Sequence, residues 1–375
     1  MLADADRSNE SKEIAVLARG GSAGRARDLA LVFGAILIVA ACTGGTGAPT
    51  TPPPSGSALA SIAPPATGTP APSCACSIVP SSAATQPAAT PNLTIRPGTV
   101  VAWGDDSSNQ TDVPKGLSNV IAVAAGDEFS VALKADGSVV AWGGEDLETQ
   151  IPASVKNVKS IAAGSAFVIA LESDGRVVGW GDNTDGQLKP PANLKNVAQI
   201  SAAGMHSLAL LADGTVVAWG SNANGESDVP TGLENVTQVS AGYDFSLALL
   251  QDGSVVAWGD KNPTDQPSGV AKVPADLAGV TAISAGYYHD LALESDGTVA
   301  SWGSNESGQS TVPATLSNAI AVSAGGDFSL ALTSDGHVVA WGGNGAGEST
   351  VPKSLANVEA VDAGGSHALA IVAGS

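Results

Sequence analysis

The stretch Asp213-Gly214-Thr215-Val216-Val217-Ala218-Trp219-Gly220 decides how the rest of the chain is read. Near-copies recur from Pro97-Gly98 onward. All seven tryptophans fall in this phrase, each followed by glycine: Trp103, Trp142, Trp180, Trp219, Trp258, Trp302 and Trp341. Successive gaps are 39, 38, 39, 39, 44 and 39 residues. A period of this length marks a repeat architecture in which each unit is one supersecondary element.

The fourth unit shows the design. Residues 215–219 are short, β-branched and end in an aromatic, which predicts a strand. Val217 and Trp219 point one way and Val216 and Ala218 the other, so this strand must be covered on both faces. A polar loop follows, then Val229-Pro230, then strands predicted over 236–241 and 245–250. Asp252-Gly253 closes the unit as a two-residue, type I′ hairpin signal. The same Asp-Gly turn starts at Asp136, Asp174, Asp213, Asp296 and Asp335. A proline opens the middle segment of each unit and cannot donate to a ladder, which places it at a sheet edge or strand start.

Each unit is thus one sheet of three or four strands whose two faces are covered by its neighbours. Radial stacking does this, and the expected fold is an all-β, seven-bladed β-propeller. The final strand, 367–372, lacks a following tryptophan phrase, and the first unit supplies one, 98–104, without a preceding strand. Pairing the N- and C-terminal strands would close the ring and remove two bare edges.

These residues resemble the regulator of chromosome condensation repeat: V-V-A-W-G, a polar loop with glycine, V-P, then S-A-G-x-x-[HF]-S-L-A-L and D-G. The resemblance covers 98–375. The short unit and the Gly308-Gln309 and Thr311-Val312-Pro313 phrasing look similar to a bacterial secreted branch, which includes the seven-bladed propeller that inhibits class A β-lactamases. Nuclear members of the family act as nucleotide exchange factors on a small GTPase and touch chromatin through basic surface. That surface is not matched here.

From residue 98 onward, 10 Lys and Arg stand against 31 Asp and Glu, a balance of −21. Phosphate binding depends on clustered cations, so nucleic acid is not an expected partner. Upstream, Arg19, Arg25 and Arg27 precede an apolar run of 13 residues, Leu29 to Ala41. That is too short to span a bilayer but matches a signal-peptide core. It ends Val39-Ala40-Ala41-Cys42, which resembles a bacterial lipobox. Residues 1–41 are therefore read as a lipoprotein-type signal peptide, with Cys42 the lipidation site and membrane anchor. An ordinary signal peptide with an incidental cysteine is the plainer alternative. Residues 42–97 hold 12 of the 22 prolines and form a Pro/Thr/Ser/Ala-rich flexible linker, with 98–375 as the propeller. The expected location is the cell membrane or cell surface, or the medium if the chain is secreted. Cys74 and Cys76 have no further ligands nearby and read as exposed thiols or a disulfide.

Catalytic chemistry finds little support. His206, His289 and His367 share one repeat position with Phe129, Phe167, Phe245 and Phe328, so the position asks for a packed ring. Asp182-Asn183-Thr184-Asp185-Gly186 fails the calcium-loop spacing, since its glycine comes one place early. No metal site, cofactor or catalytic residue is assigned. An enzyme with a site in the central channel is the remaining alternative, although mostly Ala, Ser and Val line the strands.

What varies is the pair of residues after each repeat glycine. These pairs include Asp127-Glu128, Tyr243-Asp244, Tyr287-Tyr288 and Gly326-Asp327. All three tyrosines of the chain are there, and tyrosine is enriched at interfaces. Asp127, Glu128, Tyr243, Asp244, Tyr287, Tyr288 and Asp327 are therefore the expected partner-binding loop face, with the Trp180–Gln187 loop as a contrast if it lies on the other face. The function so read is a tethered, non-enzymatic protein-binding module for an unknown protein with a basic patch. Inhibition of a β-lactamase-like enzyme is the narrower alternative.

Overall fold

A computed structural model describes residues 95–144, 146–260 and 269–374. Cys42 with its apolar run, the linker, Cys74 and Cys76 lie outside the described residues, as do residues 261–268 of the longest unit.

The described chain is β-sheet, with one short helix, α1 (Asp146–Thr149). Strand β1 (Gly98–Gly104) comes first. Then follow β2 (Val120–Ala125), β3 (Phe129–Lys134) and β4 (Val139–Gly143), and β5 (Val158–Ala163), β6 (Phe167–Glu172) and β7 (Val177–Gly181). The third set is β8 (Val197–Ala203), β9 (His206–Leu211) and β10 (Val216–Gly220); the fourth is β11 (Val236–Ala241), β12 (Phe245–Leu250) and β13 (Val255–Gly259). The fifth is β14 (Val280–Ala285), β15 (His289–Glu294) and β16 (Val299–Gly303). After β17 (Ala319–Ala324), β18 (Phe328–Thr333) and β19 (Val338–Gly342), the chain ends in β20 (Val358–Ala363) and β21 (His367–Ala373).

Every set is an antiparallel meander. By hydrogen bonding the sets make five three-stranded sheets and one six-stranded sheet, ordered β20-β21-β1-β2-β3-β4. The expected count of seven sheets is therefore six, because two sets merge. The merger is slight: β1 meets β2 only at Gly98↔Val120. Against β21, β1 runs through seven consecutive pairs, from Gly98↔Ala373 to Gly104↔His367. The two ends of the described chain are thus hydrogen-bonded to each other.

Apolar residues sit between sets rather than within them. Leu208 and Leu210 of β9 pack with Val236, Val239 and Trp258 of the next set. The same arrangement recurs down the chain and joins the last set to the first, where Leu369 and Ile371 meet Val120, Val123 and Trp142. Burying a side chain of this size contributes about 1.5–3 kcal/mol, so the sets hold each other.

The tryptophans add a polar clasp. Trp142 donates its indole N–H to the carbonyl of Gln110 at 3.0 Å, Trp219 to Gln187 at 2.8 Å, and Trp341 to Gln309 at 2.8 Å. Each acceptor lies in the loop leaving the preceding set. Gln110, Gln187 and Gln309 are buried, and their side-chain oxygens take backbone N–H groups two residues back, at 2.8, 3.0 and 2.9 Å. A donor left unpaired in such a place would cost about 1–3 kcal/mol.

Two local expectations are corrected. The Asp-Gly turn is not type I′, which needs positive φ at both central residues. Gly253 has φ 83°, but Asp252 is not among the positive-φ residues. The hairpin is a three-residue loop in which Leu250 N–H donates to Ser254 O at 2.8 Å. Asp252 then serves as a cap, accepting from the Ser254 amide at 3.0 Å and hydroxyl at 2.6 Å. The segment prolines open turns, not strands: Leu233 N–H donates to Pro230 O at 3.1 Å.

Candidate functional site

The loop between the first and second strands of each set carries the variable pairs. These loops touch one another in series. Asp127 N–H donates to Ser165 O at 3.4 Å, Ser165 to Gly204 at 3.1 Å, Tyr287 to Gly325 at 3.2 Å and Gly326 to Gly364 at 3.1 Å. The variable positions therefore do gather at one end of the stack.

The loops following the third strands come to that same end. Strand β7 finishes opposite the start of β6, and Asp182 N–H donates to Ala166 O at 2.8 Å. The Trp180–Gln187 loop is thus no contrast; the opposite end carries the Asp-Gly turns. The cause is elementary, since an antiparallel meander returns every second connection to the same side.

The three tyrosines form one cluster. Ring centroids are 5.8 Å apart for Tyr243 and Tyr287, 5.8 Å for Tyr243 and Tyr288, and 5.9 Å for Tyr287 and Tyr288. The first two contacts are edge-on, the arrangement aromatic quadrupoles favour. Tyr243 and Tyr288 are half-buried. Tyr287 is only 2% exposed, which corrects the expectation that it is a surface contact residue. Glycine makes room for it: a Cβ on Gly326 would lie 2.7 Å from the Tyr287 ring.

Tyr287 belongs to the β14–β16 set and reaches Asp127 of the β2–β4 set, which is not its neighbour. The Tyr287 hydroxyl and Asp127 Oδ1 are both buried and lie near each other outside ideal hydrogen-bond geometry, with the tyrosine O–H the available donor to the carboxyl. Burial pushes the Asp127 carboxyl well above its usual range, with Glu128 adding to the effect. Partial burial likewise raises Asp244 to about 6, reinforced by Glu226, and partial covering of the otherwise exposed Asp327 raises its carboxyl, reinforced by Glu348 and Glu306. Glu128 and Asp327 are exposed. Among the described residues the ion pairs are at Arg96, Lys134, Arg176 and His337, all away from these carboxylates. The tyrosine end is a negative surface around an aromatic cluster.

The histidines have another part. His206, His289 and His367 are fully buried. Their Nε2 atoms meet Ser246 Oγ at 2.9 Å, Ser329 Oγ at 2.9 Å and Ser130 Oγ at 3.0 Å, each serine lying in the next set. Each serine already gives its one proton to a backbone carbonyl, of Glu226, Gln309 and Gln110 respectively. The histidine must therefore donate through Nε2–H and cannot take the serine's proton. Burial lowers the three imidazoles to about 3, 3 and 4, so they stay neutral. These pairs stitch sets together and do not form a nucleophile with its base. The sequence shows the shared aromatic position but not this partner, which lies 40 residues on or at the chain's other end.

Asp290 replaces the serine in the fifth set. It is fully buried, and neither carboxyl oxygen has a hydrogen-bond partner. Burial pushes its carboxyl well up, and Asp260 adds to this. No group of three or more His, Cys, Asp or Glu among the described residues converges as a metal site would require.

The regulator of chromosome condensation (RCC1) repeat matches residues 120–146, 158–187, 197–226, 236–263, 280–309 and 319–348. Among solved structures, the chain is similar to Prp20p from Saccharomyces cerevisiae, described with its binding properties to Gsp1p and histones. That likeness has a TM-score of 0.61 and 19% identity, over 75% of this chain and 93% of that chain. Yeast RCC1 (Prp20) with Kap60 bound gives a TM-score of 0.59 at 19% identity, over 75% of this chain and 90% of that chain. Human WBSCR16 gives 0.55 at 18% identity, over 73% and 98%. At such identity the likeness is one of fold. No curated protein matches in sequence. Residues 120–348 thus carry six matches to the regulator of chromosome condensation (RCC1) repeat, and the described fold is similar to that of Prp20p.

Proposed function

We propose that the repeats form a closed seven-bladed propeller that binds another protein through its tyrosine end. On this reading β20, β21 and β1 are one blade, and the pair Gly98↔Val120 is an incidental bridge to the next. A ladder and three single hydrogen bonds cross the seam between chain ends and support it. They are the β1–β21 ladder, Trp103 to Glu348 O at 2.9 Å, Ser130 to His367 at 3.0 Å, and the Ala125 amide to Asp362 at 2.7 Å. The last three copy contacts found between internal sets.

The observation that carries the binding role is the tyrosine cluster, with half-exposed Tyr243 and Tyr288, set among Glu128, Asp244 and Asp327, for which no ion pair to a described Lys or Arg is found. Such a surface suits a partner bearing positive charge. The solved relatives named for protein complexes share the fold, which supports a binding role over catalysis. The role is read as non-enzymatic, because in each buried Ser–His pair among the described residues the serine proton is already given to a backbone carbonyl. Cys42 would carry a lipid that holds the propeller outside the cytoplasm at a membrane. Inhibition of a β-lactamase-like enzyme is the narrower form and rests on the phrasing of the repeats alone.

The test is affinity capture with the full chain from membrane-proximal and extracellular proteins, followed by measured affinity for the purified partner. Tyr243→Ala and Tyr288→Ala should each weaken that affinity at least tenfold, and Asp252→Asn at the opposite end should not. Affinity unchanged by both tyrosine substitutions would overturn the reading. The narrower form is checked by the hydrolysis rate of a class A β-lactamase with and without the chain.

A further inference from the structure

Three junctions between sets carry the same exchange. Ser130, Ser246 and Ser329 each give a proton to a loop carbonyl and each receive a histidine N–H from the set before. The junction between the fourth and fifth sets breaks this pattern. Asp290 stands at the serine's position in β15, and at the histidine's position before it stands Phe245, whose ring has no N–H. Asp290 pairs with Trp302 across the ladder, so both side chains leave the same face, toward the fourth set. There Trp302 gives its indole N–H to Val270 O at 3.0 Å and packs with Phe245 and Val270. The carboxyl is fully buried at this apolar junction, and neither oxygen has a hydrogen-bond partner.

The charged neighbours do not help it. Asp260, just past β13, acts on Asp290 with the same sign. Asp244, beside Phe245, is a second raised carboxyl at the junction, with Glu226 behind it. His289, next in the chain, points the other way to Ser329 and stays neutral. None of the ion pairs among the described residues brings a cation to these carboxyls. Protonated, Asp290 is a neutral group much like the serine it replaces. Ionised, it is a buried charge with neither donor nor counter-ion, which an apolar interior tolerates poorly. Parting the two sets lets water reach it.

We propose that Asp290 makes the junction between the fourth and fifth sets a proton-dependent joint, shut in mild acid and freer to open as pH rises. The open form ionises first, because water reaches the carboxyl there. Each pH unit above the ordinary carboxyl value of about 3.9 therefore favours opening by up to about tenfold, until the closed form ionises as well. Tyr243 and Tyr288 come from these same two sets, with ring centroids 5.8 Å apart, so the joint also governs how that pair is presented. Its effect on binding rests on the reading of the tyrosine end as the binding face; the joint itself does not.

Hydrogen exchange of the full chain, read by mass spectrometry between about pH 5.5 and 7.5 and corrected for intrinsic rates, tests the joint. Peptides from residues 245–259 and 289–303 should lose protection as pH rises, by up to about tenfold per unit, while those from 167–181 in the second set keep theirs. Asp290→Ser, which restores the residue of neighbouring units, should remove this dependence, and so should Asp290→Asn, which cannot ionise. Asp244→Asn should retain it. Protection lost equally from every set, lost from none, or still lost in Asp290→Ser would overturn the joint. A dependence that disappears in Asp244→Asn would assign it to that residue and overturn the joint too. Partner affinity is a separate arm, and it should fall with rising pH in the wild type relative to Asp290→Ser. A partner indifferent to Tyr243→Ala and Tyr288→Ala removes the binding face and leaves the exchange result standing. Affinity lost in those variants, with exchange that ignores Asp290, does the reverse.

Discussion

The indole of Trp103 donates to the carbonyl oxygen of Glu348 at 2.9 Å, although 245 residues separate them. Trp180 makes the same bond to Glu148 at 2.7 Å across only 32 residues. One contact closes the seam between the chain ends; the other joins consecutive units. If the proposed ring is closed, the two are physically equivalent. Trp103→Phe and Trp180→Phe should therefore destabilise the chain by similar amounts, about 1–3 kcal/mol for an orphaned buried carbonyl and a smaller ring. Urea unfolding measures both. A negligible loss for Trp103→Phe beside a normal loss for Trp180→Phe would mark the seam as open.

Tyr287 separates packing from polarity. Its ring is buried, so Tyr287→Ala should cost about 3–5 kcal/mol, in line with other large aromatic truncations. Its hydroxyl has no partner, so Tyr287→Phe should leave stability unchanged or slightly improved. Thermal melts of the two variants decide this. Equal losses from both would mean that the hydroxyl is bonded.

Stability should pass through a maximum in mildly acidic solution. Asp127, Asp244, Asp290 and Asp327 have raised folded-state pKa values, chiefly through burial. The folded chain then holds these protons more tightly than the unfolded one, so stability falls as pH rises above the ordinary carboxyl value of about 3.9. The turn aspartates Asp136, Asp213, Asp252 and Asp296 are lowered by hydrogen bonds from the hydroxyl and amide two residues on, and Asp335 by the Thr333 hydroxyl and His337. Their contribution is present above that value and is lost as pH falls below it. The melting temperature should rise from pH 7.5 to about 5 and drop below about 4. Asp290→Ser, which restores the residue of neighbouring units, should raise it most at the alkaline end. A steady fall in melting temperature from pH 7.5 downward would contradict this assignment.

Lipidation at Cys42 is checked by metabolic labelling with a fatty-acid analogue in a bacterial host. The wild-type chain should take up label and Cys42→Ala should not. Equal labelling would remove the proposed anchor.

Much of the fold is legible locally. Trp219 with Val216 and Val217, and the Asp-Gly pairs, are short-range signals, and their recurrence gives both strand count and stacking. The merged sheet is not legible, because it depends on one bridging pair, Gly98↔Val120. The true turn type could have been read with more care, since Asp252 is followed at Ser254 by the hydroxyl that caps it. A further repeated signal was available in Asn119, Asn157, Asn196, Asn235, Asn318 and Asn357. All take φ between 52° and 58° just before a first strand, a conformation that asparagine tolerates. At the tyrosine end, the gathering of Tyr243, Tyr287 and Tyr288 followed from their shared repeat position. The burial of Tyr287 did not, because it depends on Gly326 in the neighbouring set and on Asp127 in a non-adjacent one. The end that the Trp180–Gln187 loop joins could also have been read, since an antiparallel meander returns every second connection to the same side.

In the proposed closed ring Asp127 comes opposite Tyr287, so closure underlies the proposed binding face as well as the proposed fold. The most direct measurement compares the melting of two deletions with that of the full chain. Removing residues 98–104 takes away the strand that pairs with β21 along its length, and it should lower the melting temperature severely and expose apolar surface. Removing residues 43–90 should leave melting unchanged. If the two deletions melt alike, the chain ends do not close a ring and the account fails.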